Sequence, residues 1–262
     1  MKILIIGDVF GRDGRNAVYE RVQDFKEQNN IDLTIINVEN SAGGSSVTES
    51  IGEEFLRTGA DVMTGGNHSF DKPEAAIYIQ KQPRLIRPAN YPATTPGKGL
   101  YIGETKNGVK YAVMNFLGRV FMNPSCDDPF RAADEMVNSL PDDVKVRVAD
   151  MHCEATSEKY AMGWFLDGRV SAVVGTHTHV QTADERILTN GTAYITDLGM
   201  SGSYNGCVGM NKDDVIYRFT HVPGRRASNA EGEIWICGVI VDVDEETGKA
   251  NSIERIKLTH FQ

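Results

Sequence analysis

The sequence predicts an α/β fold in which two sheets pack together and helices lie outside them. Three features of the chain lead there. Short apolar runs recur at residues 2–6, 31–38 and 61–64, each reading as a buried strand. Amphipathic segments separate these runs, which is the alternation of βαβ units. The second half is richer in strand-like runs than in helical ones, so a second sheet is needed. No repeat, low-complexity segment or composition shift marks a boundary, and residues 1–262 are read as one domain.

The first run, KILII, ends at Gly7-Asp8, which leaves a carboxylate at a strand's carboxyl end. Gly11 and Gly14 read as a turn. A helix is expected over 15–28, with Ala17, Val18, Val22 and Phe25 on one face. The strand at 31–38 delivers Glu39-Asn40, and the Ser/Gly-rich stretch 41–46 is a loop. Thr48 suits a helix N-cap, followed by Ile51, Phe55 and Leu56 on the apolar face. The strand at 61–64 delivers Gly65-Gly66-Asn67-His68. Pro73 suits the first turn of a helix over 73–81. Residues 83–99 hold four prolines and two glycines and read mostly as loop.

Asn107-Gly108 between the apolar runs 100–102 and 110–116 is a hairpin signal. Residues 118–129 read as irregular loop and 130–139 as helix. The run 144–151 is strand-like and delivers His152. Since neighbours on a strand face opposite ways, one of His152 and Cys153 is expected buried and the other at the rim. A helix is expected over 154–166. The strand at 170–174 leads into Gly175-Thr176-His177-Thr178-His179, where the two histidines project to one side if the chain stays extended. Further strands are expected at 193–196, 214–222, 234–243 and 252–258, with a mobile hairpin end beginning at 222.

Composition narrows the functional classes. The net charge of -9 argues against an electrostatic grip on long nucleic acid or on an anionic membrane. It leaves room for a small anion held by metal ions, because local charge decides that. The four cysteines are widely spaced without a CxxC pair and read as buried thiols. The opening apolar run is too short for a signal peptide, and no run approaches the ~18 apolar residues of a membrane helix. The expected location is cytoplasmic, and a homo-oligomer is compatible with all of this.

Asp8, Glu39, Asn40, Asn67, His152, His177 and His179 all sit at or just after strand ends, where the loops of such sheets gather to bind ligands. All offer oxygen or nitrogen, which suits manganese, iron or zinc better than copper(I), a cluster or calcium. Seven donors exceed one tetrahedral site but suit two ions sharing a carboxylate, the arrangement that clamps a phosphoryl group. Each residue also has a plainer role. Asp8 could cap a turn, Glu39-Asn40 could open a loop, and Asn67-His68 could form a turn. Five strand ends with compatible donors are much harder to obtain by chance.

Gly7-Asp8, Gly66-Asn67-His68 and Gly175-Thr176-His177-Thr178-His179 resemble the motifs of the calcineurin-like metallophosphoesterases. Glu39-Asn40, the segment DMHCEATSEK from Asp150 and the segment VGTHTHVQTAD from Val174 resemble, more narrowly, the YmdB-like bacterial branch. The resemblance runs over nearly the whole chain. It implies a four-layer α/β/β/α sandwich, a dinuclear transition-metal centre, iron above manganese or zinc, and phosphodiesterase action on 2′,3′-cyclic nucleotides. By position it makes Asp8, Glu39, Asn40 and His179 similar to the ligands of one ion. Glu39, Asn67, His152 and His177 are similar to those of the other, with Glu39 bridging. His68 is similar to the histidine that protonates the leaving oxygen after attack by a metal-held hydroxide. The wider superfamily's Asp-x-His is here Asp8-Val9-Phe10, so Asn40 takes the missing histidine's place, and the usual bridging Asp is Glu39. Aromatic and arginine residues in loops 87–99 and 118–131 are available to a base or phosphate.

Two other readings use the same residues. One is a phosphomonoesterase or nuclease with the same metals. The other is a regulatory protein that senses a ligand with little turnover. An acid at His68 beside a full donor set favours turnover.

Overall fold

The computed structural model describes residues 1–221 and 226–260, so the start of the expected loop at 222 lies outside the described residues. The first half runs β1 (Lys2–Ile6), β2 (Asp8–Val9), α1 (Gly11–Asn29), β3 (Leu33–Asn37), α2 (Glu49–Arg57), β4 (Val62–Thr64), α3 (Pro73–Lys81) and β5 (Leu85–Ile86). It continues through the hairpin β6 (Leu100–Glu104) and β7 (Lys110–Leu117), then α4 (Pro129–Ser139), β8 (Val146–His152), α5 (Thr156–Leu166) and β9 (Ala172–Thr176). The chain then forms β10 (Arg186–Ile187), β11 (Ala193–Ile195), β12 (Met200–Ser203), α6 (Lys212–Thr220), β13 (Ile234–Val243) and β14 (Ala250–His260).

One sheet has eight strands in the order β2-β12-β13-β1-β3-β4-β5, with β14 beside β13. Strands β1, β3, β4 and β5 are parallel, as the βαβ alternation requires. The other sheet has six strands in the order β10-β11-β9-β8-β7-β6. Its central four are parallel, and antiparallel partners close both edges.

The period-two alternation of each strand sorts its side chains into layers. Ile3, Ile5, Leu33 and Ile35 of the first sheet pack with Val113, Val148 and Val174 of the second. Leu4, Ile6 and Ile36 point the other way, onto Val18 and Val22 of α1, Phe55 of α2 and Tyr78 of α3. Met114, Met151 and Val173 likewise point outward, onto Val137 of α4 and Met162 and Leu166 of α5. The result is the expected α/β/β/α sandwich of two mixed sheets.

Three local expectations are corrected. Helix α1 begins at Gly11, and Gly14 lies inside it. A Cβ at Gly14 would meet the Ser201 carbonyl oxygen at 2.1 Å, so this glycine serves close packing of helix on strand rather than a turn. Residues 214–222, expected as a strand for their Val, Ile, Tyr and Phe content, instead fall mostly in α6. Asn211 overrides that propensity by accepting hydrogen bonds from the Asp213 and Asp214 amides, and both carboxylates favour the helix's first turn. Helix α5 starts at Thr156 rather than 154.

Ile35 is 1% exposed between the two sheets. Ile35→Ala is expected to cost about 2–5 kcal/mol. Urea denaturation would show this as a lower midpoint with an unchanged slope. A variant as stable as the parent would contradict the inter-sheet core.

Candidate metal centre

The two sheets bring different chemistry to one place. Asp8 lies in β2, paired in register with Met200 of β12, and is wholly buried. Glu39 and Asn40 follow β3, and both are buried. Asn67 and His68 follow β4 by way of Gly66. A Cβ at Gly66 would meet Glu39 Oε2 at 2.2 Å and His152 Nε2 at 2.5 Å, so only glycine lets the chain pass this close. The second sheet contributes His152, the last residue of β8, and His177 and His179 after β9.

These side chains meet in two overlapping groups. In one, His152 Nε2 lies 3.0 Å from Glu39 Oε1, 2.9 Å from Asn67 Oδ1 and 3.2 Å from His177 Nδ1. In the other, His179 Nε2 lies 3.3 Å from Asn40 Oδ1 and 3.9 Å from Asp8 Oδ1. Asp8 Oδ1 is also 3.8 Å from His152 Nδ1, which joins the groups. Glu39, His152 and His177 each offer a donor atom, and these atoms lie within 4.8 Å of one another, a spacing that can hold a metal ion. The seven donor residues named from the sequence therefore converge. Four of them, Glu39, Asn40, His177 and His179, line a cavity of about 480 Å³, where Phe10, His68 and Glu154 join the wall.

His177 and His179 do not reach this place by extended chain. Their φ angles are 99° and 65°, both left-handed, so the expectation of two rings on one side is corrected. The turn sends His177 toward His152 and His179 toward Asn40 and Asp8. A buried ion pair holds it. Lys159 Nζ lies 2.6 Å from Asp197 Oδ2 and donates to the Thr176 carbonyl at 2.8 Å. The same Asp197 oxygen accepts from the Thr178 amide and hydroxyl.

His152 is oriented by a second chain of contacts. Its Nδ1 lies 2.9 Å from Thr176 Oγ1, which donates to Asp150 Oδ1 at 2.7 Å. His152 and Cys153 are both buried, which corrects the expectation that one lies at the rim. They do face opposite ways, because Cys153 packs in the outer layer against α4 and α5. Burial pushes its thiol up to about 12, and all four cysteines are free, but only Cys153 and Cys237 are buried, which corrects the expectation for Cys126 and Cys207.

His68 stands apart from the donor groups. Its amide donates to Glu39 Oε2 at 2.9 Å, while its ring Nδ1 lies 2.7 Å from Asp71 Oδ2. Sequence reasoning missed Asp71, Asp150, Lys159 and Asp197. Asp71 lies one turn beyond His68. Asp150 is a carboxylate between Ala149 and Met151 in a buried strand, which was a usable signal, whereas Lys159 follows the polar Thr156, Ser157 and Glu158 and gave none. Asp197 has no such signal before β11 and β12 are placed.

The electrostatics are those of a site short of positive charge. Burial raises the Asp8 carboxyl to about 6, against the pull of His179 and His152. Burial would also raise Glu39, but His152 and the His68 amide outweigh it and hold that carboxyl well below its ordinary range. His152 is raised despite burial, chiefly by Glu39. His177 is lowered to about 3 by burial and by its neighbour His152. Asp8 Oδ1 and Glu39 Oε1 are buried without a hydrogen-bond partner. Two such oxygens facing imidazole nitrogens fit divalent cations in both charge and donor type.

Among the described residues no helix is long and apolar enough to cross a membrane. The chain is similar to the 2′,3′-cyclic-nucleotide 2′-phosphodiesterase of Bacillus subtilis strain 168, with 50% identity over 98% of this chain and 96% of that protein. The crystal structure of a hypothetical protein from Thermus thermophilus superimposes with a TM-score of 0.92 at 35% identity, over 99% of both chains. That of a novel phosphatase from Mycoplasma pneumoniae gives 0.92 at 31% identity, over 99% of this chain and 93% of that one. Residues 4–256 match the family described as YmdB-like protein, and the chain belongs to that family.

Proposed function

We propose that the chain, acting as one unit over 1–262, is a dinuclear metallophosphoesterase that opens 2′,3′-cyclic nucleotides at the 2′-ester. The observation that carries this is the pair of buried carboxylate oxygens without hydrogen bonds, Asp8 Oδ1 and Glu39 Oε1, ringed by His152, His177 and His179. The half-identical relative, named for that reaction, supports the substrate class. Asp8, Glu39, Asn40 and His179 would hold one ion, and Glu39, Asn67, His152 and His177 the other. Iron suits this nitrogen and oxygen set, with manganese or zinc as replacements. The enzyme works in the cytoplasm, a compartment in which its free cysteines stay reduced.

When bound, two divalent ions supply Lewis acidity to the phosphoryl oxygens and a nucleophile from water. The chain's own groups do the rest. Thr176 and Asp150 fix the His152 ring so that Nε2 faces Glu39. The Lys159–Asp197 pair holds His177 and His179 in their turn. His68 is aimed by its amide bond to Glu39 and by Asp71 on Nδ1, which leaves Nε2 to carry a proton to the departing ribose oxygen.

Elemental analysis tests the ion sites. The parent protein should bind close to two ions per chain. Glu39→Ala is expected to lose both, and Asp8→Ala mainly one. Fully active metal-free protein would remove the proposal. Because Glu39 keeps His152 protonated above its usual range, ion binding should also release protons at neutral pH. Titrating metal into weakly buffered apoprotein would show acidification, and affinity should fall as pH falls.

His68→Ala is expected to keep its metal yet lose roughly 10²- to 10⁴-fold in kcat on a cyclic nucleotide. Bis-p-nitrophenyl phosphate, whose leaving group hardly needs a proton, should suffer less. Equal losses on both substrates together with lost metal would make His68 a ligand, and unchanged rates would make it a turn residue.

A further inference from the structure

We infer that Phe121 is the platform on which the substrate's nucleobase stacks, and that the loop 118–127 is a nucleobase subsite built onto the metal centre. This rests on the proposed cyclic-nucleotide reading. If the phosphate sits at the donor cluster and the ribose oxygen leaves toward His68, the nucleoside extends past His68. The space there is a second cavity, of about 440 Å³, that shares His68 and His177 with the first. Beyond those two it is walled by Asn67, Asp71, Phe121, Met122, Asn123 and Pro124.

Phe121 is 89% exposed with a φ of 61°, a left-handed conformation that a bulky side chain seldom adopts. A lone exposed aromatic is ordinary. This one projects from a loop that is tied down at several points. The Gly118 amide donates to the carbonyl of His152 itself at 2.9 Å. The buried Glu158 carboxylate accepts from the amides of Arg119 at 2.9 Å and Val120 at 3.3 Å. Asn90 clamps both ends, its Nδ2 donating to the carbonyls of Leu117 at 2.7 Å and Asp127 at 2.8 Å. Both ends of the loop are therefore anchored, one on the strand end that delivers His152, and Phe121 directly follows the anchored residues with its aromatic face open to solvent. A purine or pyrimidine ring is the planar group that such a face takes, and the Asn123 amide offers hydrogen bonds to its edge.

Metal-loaded parent, Phe121→Ala and Phe121→Trp proteins decide the matter. Binding of adenosine 3′-phosphate and of inorganic phosphate is measured by calorimetry. Turnover is measured on adenosine 2′,3′-cyclic phosphate and on ethylene phosphate, a five-membered cyclic diester without a base. Base–aromatic stacking predicts that Phe121→Ala raises Kd for adenosine 3′-phosphate and KM for the cyclic nucleotide roughly 5- to 100-fold. Its kcat, its phosphate affinity and its turnover of ethylene phosphate should not change, and Phe121→Trp should bind as the parent does. Unchanged adenosine 3′-phosphate affinity in Phe121→Ala would overturn the inference, including where the variant's mass in solution drops and Phe121 proves a subunit contact. Equal losses on phosphate and ethylene phosphate would overturn it too, since the loop would then only support the metal centre. A parent protein that fails to turn over the cyclic nucleotide would sink the phosphodiesterase reading instead, and the Kd comparison would still decide Phe121.

Discussion

Two carboxylates buried at neighbouring strand ends set the terms for this structure. Asp8 and Glu39 are almost wholly shielded from water, and each keeps one oxygen without a hydrogen bond. Isolated charges in such a place cost several kcal/mol apiece. On the first sheet's side they are met mainly by amide groups, among them the His68 amide on Glu39. Relief comes from the second sheet as His152, His177 and His179. The site is thus a seam, with acids and amides on one side and imidazoles on the other. Neither sheet alone could assemble it, and the apolar layer between them fixes how far apart the two halves stand.

Holding the imidazoles requires unfavourable backbone. His177 and His179 both occupy left-handed φ, at about 1–3 kcal/mol each. The compensation is local. Lys159 Nζ and Asp197 Oδ2 make a buried pair that also bonds Thr176 and Thr178, the residues on either side of His177, while Asp197 Oδ1 accepts from the Gly199 amide. A buried pair is weak grounds for stability by itself, since desolvation offsets attraction. Here the spare hydrogen bonds of Lys159 Nζ and Asp197 Oδ2 go to one turn, so their effect is geometric.

The layered fold was legible because strand burial shows directly in residues such as Ile3 to Ile6 and Val170 to Val174. The gathering of Asp8, Glu39, Asn40, Asn67, His152, His177 and His179 at one place was legible for the same reason, since each follows such a run. What was not legible lies where a local rule lost to a contact far along the chain. Gly14 reads as a turn until Ser201 is placed against it. Residues 214–220 read as a strand until the Asn211 cap is recognised. The paths of His177 and His179 could not be read, because left-handed φ at a histidine leaves no trace in spacing. Asp197 is invisible for the same reason, as its role depends on Lys159, on a helix that precedes it.

The place of β13 in the first sheet has a consequence for how the site comes into being. Strand β1, which leads into Asp8, lies between β3 and β13, and β13 spans Ile234–Val243. Strand β2, which holds Asp8 itself, pairs with β12, and β12 in turn with β13. The ribosome therefore makes all seven donor residues well before the strand that anchors the first of them. A chain ending near residue 200 would carry all seven residues without β12 or β13. On the proposed two-ion reading, capture of the ions would wait until β12 and β13 are made, since both lie behind all seven residues in the chain.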